Sequence, residues 1–173
     1  AYLSIFSHSA LDWLNNYGVR LLMPFDGRWF YGDTLFIIDP WIWLLMGVSP
    51  VLAHTRAPLS VAMWILLGLA MTLLIVGTNL VPTMVVVVWV VGLTAIIIVR
   101  GLGPFRNHLS QVAMICGALA ITYIAGMMGG TWIAKVQAKN WLSEQGVSPS
   151  QITGLMAAPL PANPFVRDVI VVT

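Results

Sequence analysis

Three apolar runs, 57–78, 82–99 and 109–133, decide what this chain can fold into. Each is close to the roughly 20 residues that an α-helix needs to cross the hydrocarbon of a bilayer at about 1.5 Å per residue. No water reaches backbone N–H and C=O groups there, so each segment must satisfy its own as a helix. The β-branched runs 85–88 and 96–99 would favour strands in water, and the same constraint overrides that preference. Composition agrees. Hydrophobic residues make up 59% and charged residues 8% of the 173, against about 25% charged in an ordinary soluble domain.

Pro58 and Pro82 stand at tolerated first-turn positions, while Gly101, Gly103 and Pro104 close the run that starts at Pro82. A further apolar run, 35–53, is interrupted by Asp39-Pro40 and by Pro50. Asp at a cap followed by Pro at the first helical position starts the helix proper at Trp41. That leaves about 20 Å, short of the roughly 30 Å core, so this run either spans by starting at Thr34 or lies partly in the interface. The expected fold is all-α: an integral membrane protein of about four transmembrane helices, preceded by an amphipathic interfacial helix and followed by a short extended or β segment. The expected division is an interfacial segment 1–34, a transmembrane helical domain 35–133 and a soluble tail 134–173. Within the tail, 134–145 reads as a short helix, the Pro-rich stretch 158–164 as a stiff connector, and 169–173 as a β-strand without an obvious partner. The chain starts at Ala1 with no basic leader and stops inside that strand, so both ends are expected to be cut.

All six acids fall in the amino-terminal segment and the tail, and Trp29, Tyr31, Trp41, Trp43, Trp132 and Trp141 gather near the same boundary, as headgroup anchors do. Arg56, Arg100, Arg106, His54 and His108 occupy the opposite side. Lysine and arginine counts near the helix ends almost tie, and the acid-free loops are assigned to the cytoplasm. A net charge of +2 without any basic run excludes a nucleic-acid partner. Cys116 is the single cysteine, which excludes an internal disulfide. Gly117, Ala118, Gly126, Gly129 and Gly130 give the last span a small-residue face on which a partner helix could pack.

His8, Asp12 and Asn15 recur at i, i+4 and i+7, one face of a helix. An imidazole and a carboxylate one turn apart can share a divalent ion. On spacing alone, an ordinary surface pair on an amphipathic helix is the simpler account. Asp33 and Asp39 flank the first apolar run, where ionised carboxylates are costly unless paired, hydrated or bound to a cation. Asp39 also reads as a helix cap, and Asp33 and Asp26 as turn residues beside Gly32 and Gly27. Arg20 and Arg28 could pair with these acids or with lipid phosphate. His54 and His108 lie across the bilayer, which leaves one imidazole for the acidic side. Such a donor set suits magnesium or manganese better than zinc.

The sequence Ser7-His8-Ser9-Ala10-Leu11-Asp12, then Tyr17-Gly18, Leu22, Pro24-Phe25 and the block Leu35-Phe36-Ile37-Ile38-Asp39-Pro40-Trp41 closely resembles the LexA-regulated, YdjM-like family of bacterial inner-membrane metal-dependent hydrolases. The likeness is dense over 4–43, and continues in layout to Pro161-Ala162-Asn163-Pro164-Phe165. It implies a multi-pass inner-membrane protein, His8 and Asp12 as ligands of a divalent metal (Zn, Mn or Mg), Asn15 as their neighbour, and further histidines upstream of Ala1. The expected function is hydrolysis of an ester or phosphoester of a membrane-associated, lipid-like substrate, with Asp33 or Asp39 as general base or extra ligand. The alternative is a non-enzymatic membrane subunit that packs on partner helices. A transporter ranks lower, because no ionisable residue lies mid-span in the three long runs.

Overall fold

The computed structural model describes residues 2–36, 39–54, 57–77, 81–103, 107–160 and 163–172. The elements are helices α1 (Tyr2–Leu14), α2 (Pro40–His54), α3 (Pro58–Gly77), α4 (Thr83–Leu102) and α5 (Leu109–Glu144), a 3-10 turn (Pro149–Gln151), and strands β1 (Gly154–Leu160) and β2 (Asn163–Val172). They group into two compact units, one of residues 1–38 with 124–173 and one of residues 39–123.

In the second unit α2 packs against α3 and α4. Leu52, Ile75, Val85 and Trp89 are buried in this unit, and a small residue and a hydrogen bond add close approach and polar contact, as between helices in lipid. A Cβ on Gly92 of α4 would lie 3.0 Å from Leu44 Cδ1 of α2. Between α3 and α4, Trp89 Nε1 donates to Thr72 Oγ1 at 3.0 Å, and that hydroxyl donates onward to the Gly68 carbonyl at 2.7 Å. Thr94 and Thr122 return their hydroxyls to the carbonyls of Val90 and Ala118, so these polar groups are satisfied inside their own helices. Leu59, Leu66, Leu73 and Ile97 are each at least two-thirds exposed, the pattern of residues that face an apolar surrounding.

Among the described residues three helices, α3, α4 and α5, are long and apolar enough to cross a membrane. Helix α2, at 15 residues, is about 22 Å long and carries Pro50 inside it. It begins at Pro40, one residue before the expected start, because Pro is well suited to the first helical position. Helix α4 ends at Gly103, whose φ of 76° supplies the left-handed cap.

Helix α5 corrects one expectation. The stretch 134–145 is no separate helix but the continuation of the last span, giving 36 residues or about 54 Å. No proline or glycine interrupts 131–144, and Ala134, Lys135, Gln137, Ala138 and Lys139 are strong helix formers. The helix stops at Gly146 (φ 83°), where Val147 N bonds Leu142 O at 3.0 Å and Gly146 N bonds Ser143 O at 3.1 Å, the paired bonds of a Schellman end.

The tail corrects a second. The terminal strand is the end of β2, and its partner is β1, paired antiparallel from Gly154↔Val172 to Pro159↔Arg167 with an irregularity before Leu160. Ala158 to Leu160 belongs to β1 and Asn163 and Pro164 to β2, so these parts of the expected connector are strand, while residues 161 and 162 lie outside the described residues. Pro159 is tolerated because both strands of a two-stranded sheet are edges.

The chain between α1 and α2 folds back on α1. The carbonyls of Trp13 and Leu14, left open by the end of the helix, accept bonds from Gly32 N (2.6 Å), Thr34 N (2.8 Å) and Leu35 N (2.9 Å). Gly32 is required there, since a Cβ would lie 2.7 Å from the Trp13 oxygen. Farther out, Val19 and Phe30 exchange both backbone bonds at 2.9 Å and close the base of a turn.

Candidate functional site

On α1 the helical spacing brings His8 and Asp12 together: Nε2 and Oδ2 are 3.4 Å apart, with side chains 80% and 41% exposed. Both groups are on the exposed surface of the helix, in direct contact with each other. Asn15 lies just past the helix end, buried, and its Oδ1 accepts from the backbone N–H of Tyr17 (2.8 Å) and Gly18 (3.2 Å). That oxygen is committed to the turn, an Asx geometry common to asparagine after a helix. Among the described residues no group of three or more His, Cys, Asp or Glu is placed to hold a metal ion.

Asp33 sits inside the first unit, its side chain 3% exposed. Its φ of 51° puts it in the left-handed region, which Asp and Asn tolerate better than most residues. Lys135 Nζ donates to its Oδ2 at 2.7 Å and Thr131 Oγ1 donates to its carbonyl at 2.9 Å, both from α5. Its Oδ1 is buried with no hydrogen-bond partner. Thr131 also receives Arg167 Nε at 3.3 Å, and Arg167 Nη2 donates to the Met127 carbonyl at 2.9 Å. The guanidinium fits because position 130 is glycine: a Cβ there would lie 2.6 Å from Nη2. One glycine of the expected partner-helix face is therefore covered by β2.

In the second unit Asp39 is 7% exposed. Its Oδ1 caps α2 by accepting from Trp41 N (3.0 Å) and Ile42 N (3.1 Å), and its Oδ2 accepts from Tyr123 Oη (2.8 Å). Removing this carboxylate takes the acceptor from two helix N–H groups and from the Tyr123 hydroxyl together. Asp39→Ala is expected to cost about 2 kcal/mol of stability and Asp39→Asn, which keeps the capping oxygen, less than half of that, measured by detergent-titrated unfolding.

Sequence reasoning missed Thr131, Lys135 and Tyr123 as partners of the two acids, and Arg167 as a partner of Thr131. A signal for Lys135 exists, since it is the first charged residue after the apolar run that starts at Leu109, and a cation leaving lipid is a natural partner for an acid at that boundary. Between the outer part of α5 and β2 runs an open groove of about 560 Å³, lined by Ala134, Trp141, Phe165, Arg167 and Val169 among others. None of the five expected site residues lines it.

No curated protein and no solved structure matches the chain. Residues 1–82, which carry α1, both buried acids and the first long span, match the family model of the YdjM inner membrane protein. With that match and three apolar helices long enough to cross a bilayer, the chain is a multi-pass inner membrane protein whose residues 1–82 are similar to the YdjM family.

Proposed function

We propose that the exposed face of α1 binds a divalent cation through His8 and Asp12, and that the protein uses it to hydrolyse an ester or phosphoester of a membrane-associated substrate. The observation that carries this reading is the convergence of the two side chains to 3.4 Å on a solvent-open face. The donor set fits an ion. Two donors about 2.1 Å from one metal lie about 3.0 Å apart in octahedral and about 3.4 Å apart in tetrahedral geometry. Two protein donors leave the other positions to water and substrate, an open site unlike closed structural zinc, and the 3.4 Å separation leaves zinc, manganese and magnesium as candidates. When bound, such an ion supplies Lewis-acid polarisation of the substrate oxygen and acidifies water. His8 and Asp12 position it. Asp33 and Asp39, expected as base or extra ligand, are held inside the fold by Lys135 and by the α2 cap with Tyr123, which supports anchoring roles for both.

Manganese titration of the purified full-length protein, followed by electron paramagnetic resonance, tests the site. His8→Ala and Asp12→Ala are each expected to weaken binding at least about tenfold and to abolish turnover of a phosphodiester or ester reporter while helix content stays unchanged. Equal manganese affinity in wild type and both variants ends the proposal. A second reading, a non-catalytic subunit, is favoured by one observation: Cβ positions built on Gly126 and Gly129, which lie on one side of α5, meet nothing within 4 Å, leaving a small-residue surface open to a partner helix. It predicts indifference to chelators.

A further inference from the structure

We propose that the turn 21–25 is a membrane wedge: its apolar side chains insert into the headgroup and upper acyl region of a bilayer rich in anionic phospholipid, with Arg20 and Arg28 at the phosphate level. Four large apolar side chains stand here with no protein cover. Leu21, Leu22 and Met23 are about half exposed and Phe25 is 96% exposed. The turn that presents them is well built, with Phe25 N and Asp26 N both bonding the Leu22 carbonyl at 2.9 Å and the Val19–Phe30 bonds closing its base. Four adjacent exposed apolar side chains on a folded turn mark an interaction surface, and burying them in a lipid surface is favourable.

The residues at its base are those that anchor proteins at headgroups. Arg20 makes no ion pair among the described residues and holds its guanidinium over the Trp29 ring, 4.6 Å from the centroid. Trp29 in turn stacks on Tyr31 at 6.3 Å. Arg28 Nε pairs with Asp26 Oδ2 at 2.6 Å, so two arginines against one acid leave the base of the turn cationic. That matches the negative potential of an anionic leaflet. The chain that follows the turn is clamped to α5 through Asp33, at Thr131 and Lys135. Lys135 is the first charged residue after the apolar run that starts at Leu109, where a helix passes from lipid to water.

The test uses the full chain carrying Cys116→Ala, reconstituted in vesicles of phosphatidylethanolamine with phosphatidylglycerol. An environment-sensitive fluorophore is attached at Phe25→Cys or, as an exposed aqueous control, at Glu144→Cys. At position 25 the label is expected to be quenched by nitroxides on the upper acyl chain, and to be several-fold less accessible to iodide than at position 144. Arg20→Gln and Arg28→Gln are each expected to shift the inserted-to-exposed ratio about fivefold toward exposure in anionic vesicles, with little change in purely zwitterionic ones. Equal iodide access at 25 and 144 overturns insertion. Shielding from both iodide and lipid nitroxide also overturns it, because protein then covers the turn. Indifference of the ratio to both arginine changes overturns the role of anionic lipid.

Discussion

Lys135→Met is expected to lower the free energy of unfolding by about 3 kcal/mol, and adding Asp33→Asn is expected to restore most of the loss. The reason is the position of the acid. Asp33 has its side chain 3% exposed, one oxygen on Lys135 at 2.7 Å and the other buried with no hydrogen-bond partner, so Lys135 neutralises most of the charge it faces. Without Lys135 an ionised carboxylate stays buried and uncompensated, which costs more than the pair contributes when intact. Asparagine removes the charge, keeps the shape and accepts a left-handed φ of 51°, so the double variant faces only a modest penalty. Unfolding by sodium dodecyl sulfate in mixed micelles, read by circular dichroism, provides all four corners of the cycle. A double variant as unstable as Lys135→Met, or a single variant as stable as wild type, would sink the claim that this pair holds the end of α5 to the chain after α1.

Gly18→Val is expected to cost about 3 kcal/mol in the same measurement, and Gly27→Ala, its control, less than 0.5 kcal/mol. Gly18 has a φ of 75°, where a β-branched residue is an outlier costing about 1–2 kcal/mol. A Cβ there would also lie 2.5 Å from Tyr31 Cδ1 and 2.8 Å from the Phe30 carbonyl oxygen, and the latter is backbone held by its bond to Val19 N. Overlap on a fixed backbone atom adds another 1–3 kcal/mol. At Gly27 nothing lies within 4 Å. The Gly18 change also loosens the base of the 21–25 turn, so the two glycines separate packing at that base from exposure at its tip. A Gly18→Val protein with wild-type stability would show that Tyr31 and the Val19–Phe30 pair are free to move aside.

The features that could be read from residues alone are those set by local physics. Helix is imposed on 58–77, 83–102 and the apolar part of α5 by backbone groups that must bond within their own segment, whatever surrounds them. The Asp39 cap on α2 and the left-handed Gly103 at the end of α4 depend only on neighbours within four residues. The convergence of His8 and Asp12 depends only on the 3.6-residue turn. What the residues leave open is everything carried by distant partners. The β1 strand, Gly-Leu-Met-Ala-Ala-Pro-Leu, has no alternation and no β-branched residue, and is a strand because β2 pairs with it. The length of α5 was masked because a change from apolar to polar residues marks the edge of lipid, while the backbone continues through it unchanged. Spans that are apolar all round do not announce which face meets protein and which meets lipid.

The chain by itself therefore determined that it crosses a membrane as helices, where three of them run, and that an imidazole and a carboxylate share one helical face. Only the tertiary structure decided that Asp33 pairs with Lys135 a hundred residues later, that Arg167 reaches over Gly130 to the Met127 carbonyl, and that Phe25 stands uncovered. The first set follows from short-range geometry and from the absence of water in lipid. The second follows from which buried charges and hydroxyls the fold brings within hydrogen-bond distance, and no spacing rule along the chain encodes that.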